Sequence, residues 1–301
     1  MNNPAPIILF VYNRLAHLQQ TVISLQANEL SKESDLFIYS DGPKNDIDSL
    51  KVNSVREYLK TISGFKKIQI VEKDRNNGLA NSVILGVSEI LQKYLKVIVV
   101  EDDLRVSIDF LAFMNAALDF YADSPEIFSI SGYNFPIEIP ADYGNDVYLS
   151  YRASSWGWAT WRNRWEKADW EVKDYQKFKK DRTAQHLFNR GGEDLTPMLH
   201  KQMKGTIDSW AIRWAYSHFK NGTYCLFPVI SKVRNIGKDG SGTHSRITNI
   251  YNVNLSSCEV NITFDMKLNL NDVIIKNIRK FIRPSLIRRI INIFKFGMWI
   301  F

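Results

Sequence analysis

The chain has 301 residues, 45% hydrophobic and 24% charged, with a formal net charge of +7. That balance suits a globular protein of one large or two small domains, long enough to bury a sizeable core. Seven basic residues against Asp272 lie between Asn271 and Phe301, so the body is nearly neutral, which excludes a general nucleic-acid binder.

Cys225 and Cys258 lack metal-site spacing and read as reduced or buried, as in a cytosolic protein. No signal peptide is visible, and no apolar stretch is long enough to span a membrane.

Taken in order, Pro6–Tyr12 is a continuous apolar run and predicts a first buried strand, followed by Asn13-Arg14. Leu15, Leu18, Val22 and Leu25 mark one helical face. Leu36–Tyr39 predicts a second strand ending at Ser40-Asp41-Gly42-Pro43, a turn signal. A helix is expected from Ser49 to about Thr61, a strand over Ile68–Val71, a turn at Asn76-Asn77-Gly78 and a helix over Leu79–Tyr94. A fourth strand over Lys96–Val100 runs into Glu101-Asp102-Asp103-Leu104. Fourfold strand–helix alternation implies right-handed crossovers and a parallel sheet covered on both faces.

The three acids stand where a buried strand leaves the core, the place where ligands of open α/β sheets collect. Adjacent carboxylates repel, and a divalent cation with oxygen ligands is the simplest offset, one that commonly also holds substrate phosphates. The alternative is an acidic turn capping a helix that starts near Ser107. Neither a Gly-x-Gly-x-x-Gly nor a Walker-type Gly-Lys-Ser is present, which counts against a dinucleotide-binding dehydrogenase and a P-loop enzyme.

Beyond them, Phe110–Tyr121 predicts a helix and Ile127–Asn134 a strand and turn. Five tryptophans crowd the next stretch: Trp156, Trp158, Trp161, Trp165 and Trp170. Most are expected in the core, but Trp156-Gly157-Trp158 could stack on a sugar ring. Trp170–Lys204 is polar and partly helical, resembling an insertion or acceptor loop more than core. Asp208 opens a helix that continues through Trp210 to Tyr216 and could be its N-cap. Short strands are expected at Cys225–Phe227 and Ile230–Val233. The glycine-rich loop Asn235–His244 offers backbone amides, Lys238, Ser241 and Thr243 to a phosphate, and His244 to a metal. From Asn271 the pattern is Ile-rich, basic and helical, interrupted at Pro284. It ends in Phe294, Phe296, Trp299 and Phe301, which suits an interfacial helix on anionic lipid or a helix docked on the domain.

Four ordered blocks, Val11–Arg14, Tyr39–Gly42, Glu101–Leu104 and Asp208–Trp210, resemble GT-A glycosyltransferases, above all the N-acetylglucosaminyltransferase I group and its bacterial relatives. Trp156–Trp161 and Gly240–His244 resemble bacterial surface-polysaccharide (capsule or O-antigen) transferases. The resemblance implies a GT-A domain over 1–265, with a nucleotide-binding half (1–104) and an acceptor-binding half (105–265). Its fold would be a mixed, mostly parallel sheet with helices on both faces, followed by a basic amphipathic tail over 266–301. It implies a metal-dependent, inverting transfer of a hexosyl or N-acetylhexosaminyl group from a UDP-sugar to a glycan hydroxyl. Arg14 and Asp41 would contact the uridine, Glu101 and Asp102 the donor sugar and ribose, with Asn13, Gly78, Ser241 and Thr243 completing the donor site. Asp103, with His244, would hold manganese or magnesium. Asp208 would be the base, and Trp156, Trp158 and Trp210 would stack on sugar. The acceptor would be a glycan, possibly lipid-linked, and the place of action the inner face of the plasma membrane, reached peripherally through the tail. Ser209 stands where the family carries a second acid, and the membrane anchor of the animal enzymes has no counterpart. The rivals are a non-catalytic glycan-binding or scaffold protein of the same fold and a nucleotidyltransferase.

Overall fold

Five consecutive buried residues, Ile7–Val11, form β1, the centre of the first half of the chain. The computed structural model describes residues 3–241, 247–256 and 262–285. On one side of β1 lies β2 (Asp35–Ser40) and beyond it β3 (Lys67–Glu72); on the other lies β4 (Lys96–Glu101), all parallel. The β-branched, apolar composition of β1 and β4 suits strands covered on both faces. Alternate side chains go to opposite layers. Ile7, Leu9 and Val11 pack with Leu18, Val22 and Leu25 of α1 (Leu15–Gln26) and with Val55 and Leu59 of α2 (Asp46–Leu59). Ile8 and Phe10 pack with Val83, Val87 and Ile90 of α3 (Leu79–Lys93).

The second half continues the same sheet. After β5 (Leu104–Val106) come α4 (Phe110–Phe120), β6 (Ile127–Ser131), β7 (Val147–Ser150) and β8 (Trp158–Trp161). Four short helices follow, α5 (Arg162–Trp165), α6 (Tyr175–Phe178), α7 (Arg182–Phe188) and α8 (Leu195–Met203), then α9 (Trp210–Lys220), β9 (Tyr224–Pro228) and β10 (Val233–Asn235). The eight-stranded order is β3-β2-β1-β4-β8-β6-β9-β7. Four of its seven pairings are parallel, and β8 runs antiparallel to both neighbours. The fold is thus the mixed, mostly parallel α/β sheet expected. β5 and β10 form a separate antiparallel ribbon that brings the segment after the three acids beside the glycine-rich loop.

Three local expectations are corrected. Trp158–Trp161 is a central strand, buried along its length; its tryptophans face the core because β8 is flanked on both sides. The strand expected at Ile230–Val233 lies at Val233–Asn235 instead, where it pairs with Leu104–Val106. That pairing also removes the acidic turn as a helix cap, since α4 begins only at Phe110. Residues 170–204 are no simple loop: Val172, Tyr175, Phe178, Phe188, Leu195 and Leu199 build a satellite core with Ile212 and Tyr216 of α9.

The basic tail begins as α10 (Asp272–Phe281), capped by the Asn271 side chain, which accepts from the Val273 and Ile274 amides. Ile274 and Ile278 are buried against Tyr148, Cys225 and Phe227 on β7 and β9. Asn277 donates to the Glu138 carbonyl at 2.8 Å and Arg283 pairs with Glu193 at 3.3 Å. This part of the tail is docked on the sheet. Cys258 and residues 286–301, with the terminal aromatics, lie outside the described residues. Among the described residues no helix is long and apolar enough to cross a membrane.

Truncating a buried Ile to Ala costs about 2–5 kcal/mol. Ile278→Ala is therefore expected to lower thermal stability clearly in a melting curve without lipid; an unchanged midpoint would mean that α10 leaves the domain in solution.

Candidate active site

The carboxyl ends of β1, β2 and β4 open onto one cleft of about 400 Å³. Its walls carry Asn13 and Arg14 after β1, Asp41 after β2, Gly78 before α3 and Glu101, Asp102 and Asp103 at the end of β4. From the second half come Trp156, Asp208, Lys238 and Ser241. Thr243 and His244 lie outside the described residues.

One guanidinium organises the acids. Arg14 precedes α1 and donates from Nη2 to Asp102 Oδ1 and Asp103 Oδ2, both at 2.8 Å. Asp102 Oδ2 accepts from the Tyr12 amide at 3.2 Å, so both Asp102 oxygens are engaged within the protein. Burial opposes the Arg14 charge, but Asp102 and Asp103 outweigh it and raise its pKa further. Burial, then the charges of Asp103 and Asp102, push Glu101 up to about 8. Burial likewise lifts Asp102 to about 6 against the pull of Arg14.

Asp103 differs from its neighbours. Its Oδ2 binds Arg14, while its buried Oδ1 has no hydrogen-bond partner among the described residues. A buried polar atom without a partner is costly, and a carboxylate oxygen lining a cleft is a suitable hard ligand for a divalent cation. Among the described residues no group of three His, Cys, Asp or Glu is placed to hold a metal alone. Among the described acids of the cleft, Asp103 is the one whose chemistry would suit a divalent cation.

Gly237 explains why the loop after β10 is glycine-rich. A Cβ at that position would lie 2.0 Å from Asp103 Oδ2 and 2.8 Å from an Arg14 nitrogen. The Ile236 amide donates to the Asp103 carbonyl at 2.8 Å, so the loop rests directly on the acid. Next to it, Lys238 Nζ lies 5.6 Å from the Trp156 ring and 5.9 Å from that of Tyr251. Ser241 donates to Asp239, which also meets His17 at 3.0 Å.

Asp41 shapes the opposite loop. Its carboxylate accepts from the amides of Gly42, Asn77 and Gly78 at 2.9–3.0 Å. Asn13 is held by Asp48, which also accepts from the Tyr12 hydroxyl, both at 2.9 Å. Asp48, Tyr12 and Lys44 were not legible as site residues; an acid in the first turn of a helix reads as a dipole partner.

The N-cap of α9 is Ser209, whose hydroxyl accepts from the Ile212 amide. Asp208 is therefore no cap. Its side chain is 58% exposed and lies over Gly78, whose added Cβ would sit 3.7 Å from Asp208 Oδ2.

The tryptophans divide. Trp156 lines the cleft, as expected. Trp158 and Trp210 do not reach a sugar: they are 0% and 3% exposed and stack on each other at 5.0 Å. With Trp165, Trp170 and Trp214 they form one aromatic cluster beneath α9.

No family model matches the sequence, and no curated relative matches it. Solved structures do share its general shape. S. aureus TarS 1–349 is similar with a TM-score of 0.43 and 10% identity, over 76% of this chain and 59% of that one. The chain spans 37% of the longer S. aureus TarS. The mannosyltransferase PcManGT from Pyrobaculum calidifontis, in complex with GDP-Man and Mn2+, is similar with a TM-score of 0.41 and 15% identity, over 72% of this chain and 74% of that one. The galactosyltransferase LgtC, in complex with donor and acceptor sugar analogues, is similar with a TM-score of 0.40 and 13% identity, over 73% and 72%.

Proposed function

We propose that the chain is a metal-dependent glycosyltransferase that moves a sugar from a nucleotide diphosphate, UDP-linked in our reading, to a hydroxyl of a glycan acceptor. The observation that supports this most is the pair of carboxylates in one cleft. Asp103 keeps a buried oxygen without a partner among the described residues, and Asp208 is exposed and released from helix capping by Ser209. The cleft is lined by Asp41, Glu101, Asp102, Asp103 and Asp208 against Arg14, Lys44 and Lys238. A diphosphate entering that surplus of acids calls for a cation as well as the lysines.

Asp103 would hold manganese or magnesium, which when bound offsets charge on the departing diphosphate. Lys238, on the wall of the same cleft, would face the same phosphates. Trp156 offers an apolar ring face to a sugar. Asp208 accepts the proton of the attacking hydroxyl as oxygen bonds to the anomeric carbon and the bond to the diphosphate breaks. One base and one displacement give inversion.

The acceptor we infer is a bacterial surface polysaccharide, possibly carried on lipid. Lys276 and Lys280 remain exposed on docked α10, and each basic residue near an anionic leaflet adds on the order of 1 kcal/mol. These charges support peripheral action at the membrane.

Asp103→Asn is expected to abolish manganese-dependent UDP binding in calorimetry while the melting curve stays that of a folded protein. Unchanged affinity would remove Asp103 as the ligand. Asp208→Asn should leave UDP affinity intact and lower UDP release from a turned-over UDP-sugar by roughly a hundredfold or more. Since Ser209 carries the cap, stability should shift by no more than about 0.5 kcal/mol. A variant with full turnover would end the base assignment. A chain that binds UDP but releases none from any UDP- or GDP-sugar would be a binding protein.

A further inference from the structure

Asp208 has one partner whose own position is unusually well fixed. Arg213, one turn into α9, donates from Nη2 to Asp208 Oδ1 at 3.2 Å. Its Nε donates to the Ser209 carbonyl at 3.2 Å and its Nη1 to the Trp170 carbonyl at 3.4 Å. Both carbonyls sit on rigid supports. Ser209 caps α9, and its amide donates to Gln202 Oε1 of α8 at 2.6 Å. The Trp170 ring packs against Trp165 and Trp214 at 4.5 and 5.9 Å. The Arg213 side chain is 14% exposed, against 58% for Asp208. An ion pair with one partner in solvent adds little stability, so a half-buried, doubly anchored guanidinium reaching a solvent-facing carboxylate needs another reason.

We propose that Arg213 is a positioning residue for Asp208: it holds Oδ1 in place, so that Oδ2, on the side of Gly78, is presented to the acceptor hydroxyl. This rests on the reading of Asp208 as the base. The planar fork of Arg suits the task because two donors are spent on fixed carbonyls while a third reaches the carboxylate. Burial lowers the Arg213 pKa and the Asp208 carboxylate opposes that shift. The other charges sharing the cleft with Asp208 are Lys44, Lys238, Asp41, Glu101 and the Arg14–Asp102–Asp103 cluster. None of these is hydrogen-bonded to Asp208 among the described contacts, where Arg213 is the side chain that holds it.

The test follows UDP release with manganese, using whichever of UDP-glucose, UDP-galactose or UDP-N-acetylglucosamine the full chain turns over. Arg213→Met is expected to lower kcat about tenfold, with donor KM within about twofold and the melting midpoint little changed. Arg213→Lys should restore most of kcat. Should Arg213→Met fail to fold, Arg213→Gln, which keeps a hydrogen-bond donor, must show the same split between kcat and KM. An unchanged kcat, or a fall in kcat accompanied by a matching rise in donor KM and a lowered melting midpoint, would make Arg213 a packing residue and overturn the proposal. Inactive Asp208→Asn beside an unaffected Arg213→Met would overturn this proposal alone. Fully active Asp208→Asn would overturn the base assignment and this inference with it.

Discussion

Three carboxylates in succession at the mouth of a buried strand can coexist only if positive charge reaches them, and Arg14 is the part of the chain that does so. Its guanidinium ties the start of α1 to the end of β4 through Asp102 and Asp103. The Gly237 loop then closes on the same acids, so three segments distant in sequence converge on one cation. The compensation is incomplete. Glu101 and Asp102 are both raised above the usual carboxylate range, so the folded chain binds protons that the unfolded chain releases. Such groups favour the fold less as pH climbs from the ordinary carboxylate value through about 6 and 8. The cluster is thus an electrostatic burden on the fold, relieved by protonation.

The two halves of the sheet contribute to this cleft in different ways. The parallel half delivers acids at strand ends, as its topology dictates. The second half delivers Asp208 from the start of a helix, and Trp210 and Trp214 of α9, packed on Trp158, Trp165 and the half-buried Trp170, seat that helix. Their contribution to the site is indirect: they set the floor on which Ser209, Arg213 and the Trp170 carbonyl are placed.

Most of the first half was legible in the sequence because long β-branched runs and helical spacing there agree. Val97–Val100 could hardly be anything but a buried strand, and the acids after it could hardly point elsewhere than its end. The second half was less legible for a physical reason. Trp158 carries a large apolar surface that suits a sugar or a core equally well, and only the pairing of β8 with β4 and β6 decides between them. Asp208 and Ser209 are both good capping residues, so sequence alone left open which one capped α9. Arg213 and Asp48 were not legible as site residues, their roles depending on contacts with Asp208 and with Asn13, 35 residues away; the glycine-rich loop was legible, but not that its Gly237 packs on Asp103, 134 residues away in the chain.

The packing of the tryptophans also has an optical side. Neighbouring rings in the cluster beneath α9 are 4.5–6.2 Å apart, centroid to centroid. Indoles at that spacing exchange excitation, so the cluster emits as a coupled group. Trp156 stands apart, edge-on to Tyr133 at 4.6 Å and beneath Lys238, and Trp161 is buried on the opposite face of β8. Among the described tryptophans, the cluster therefore carries emission that follows the seating of α9, and Trp156 is the indole at the cleft whose emission follows what enters it.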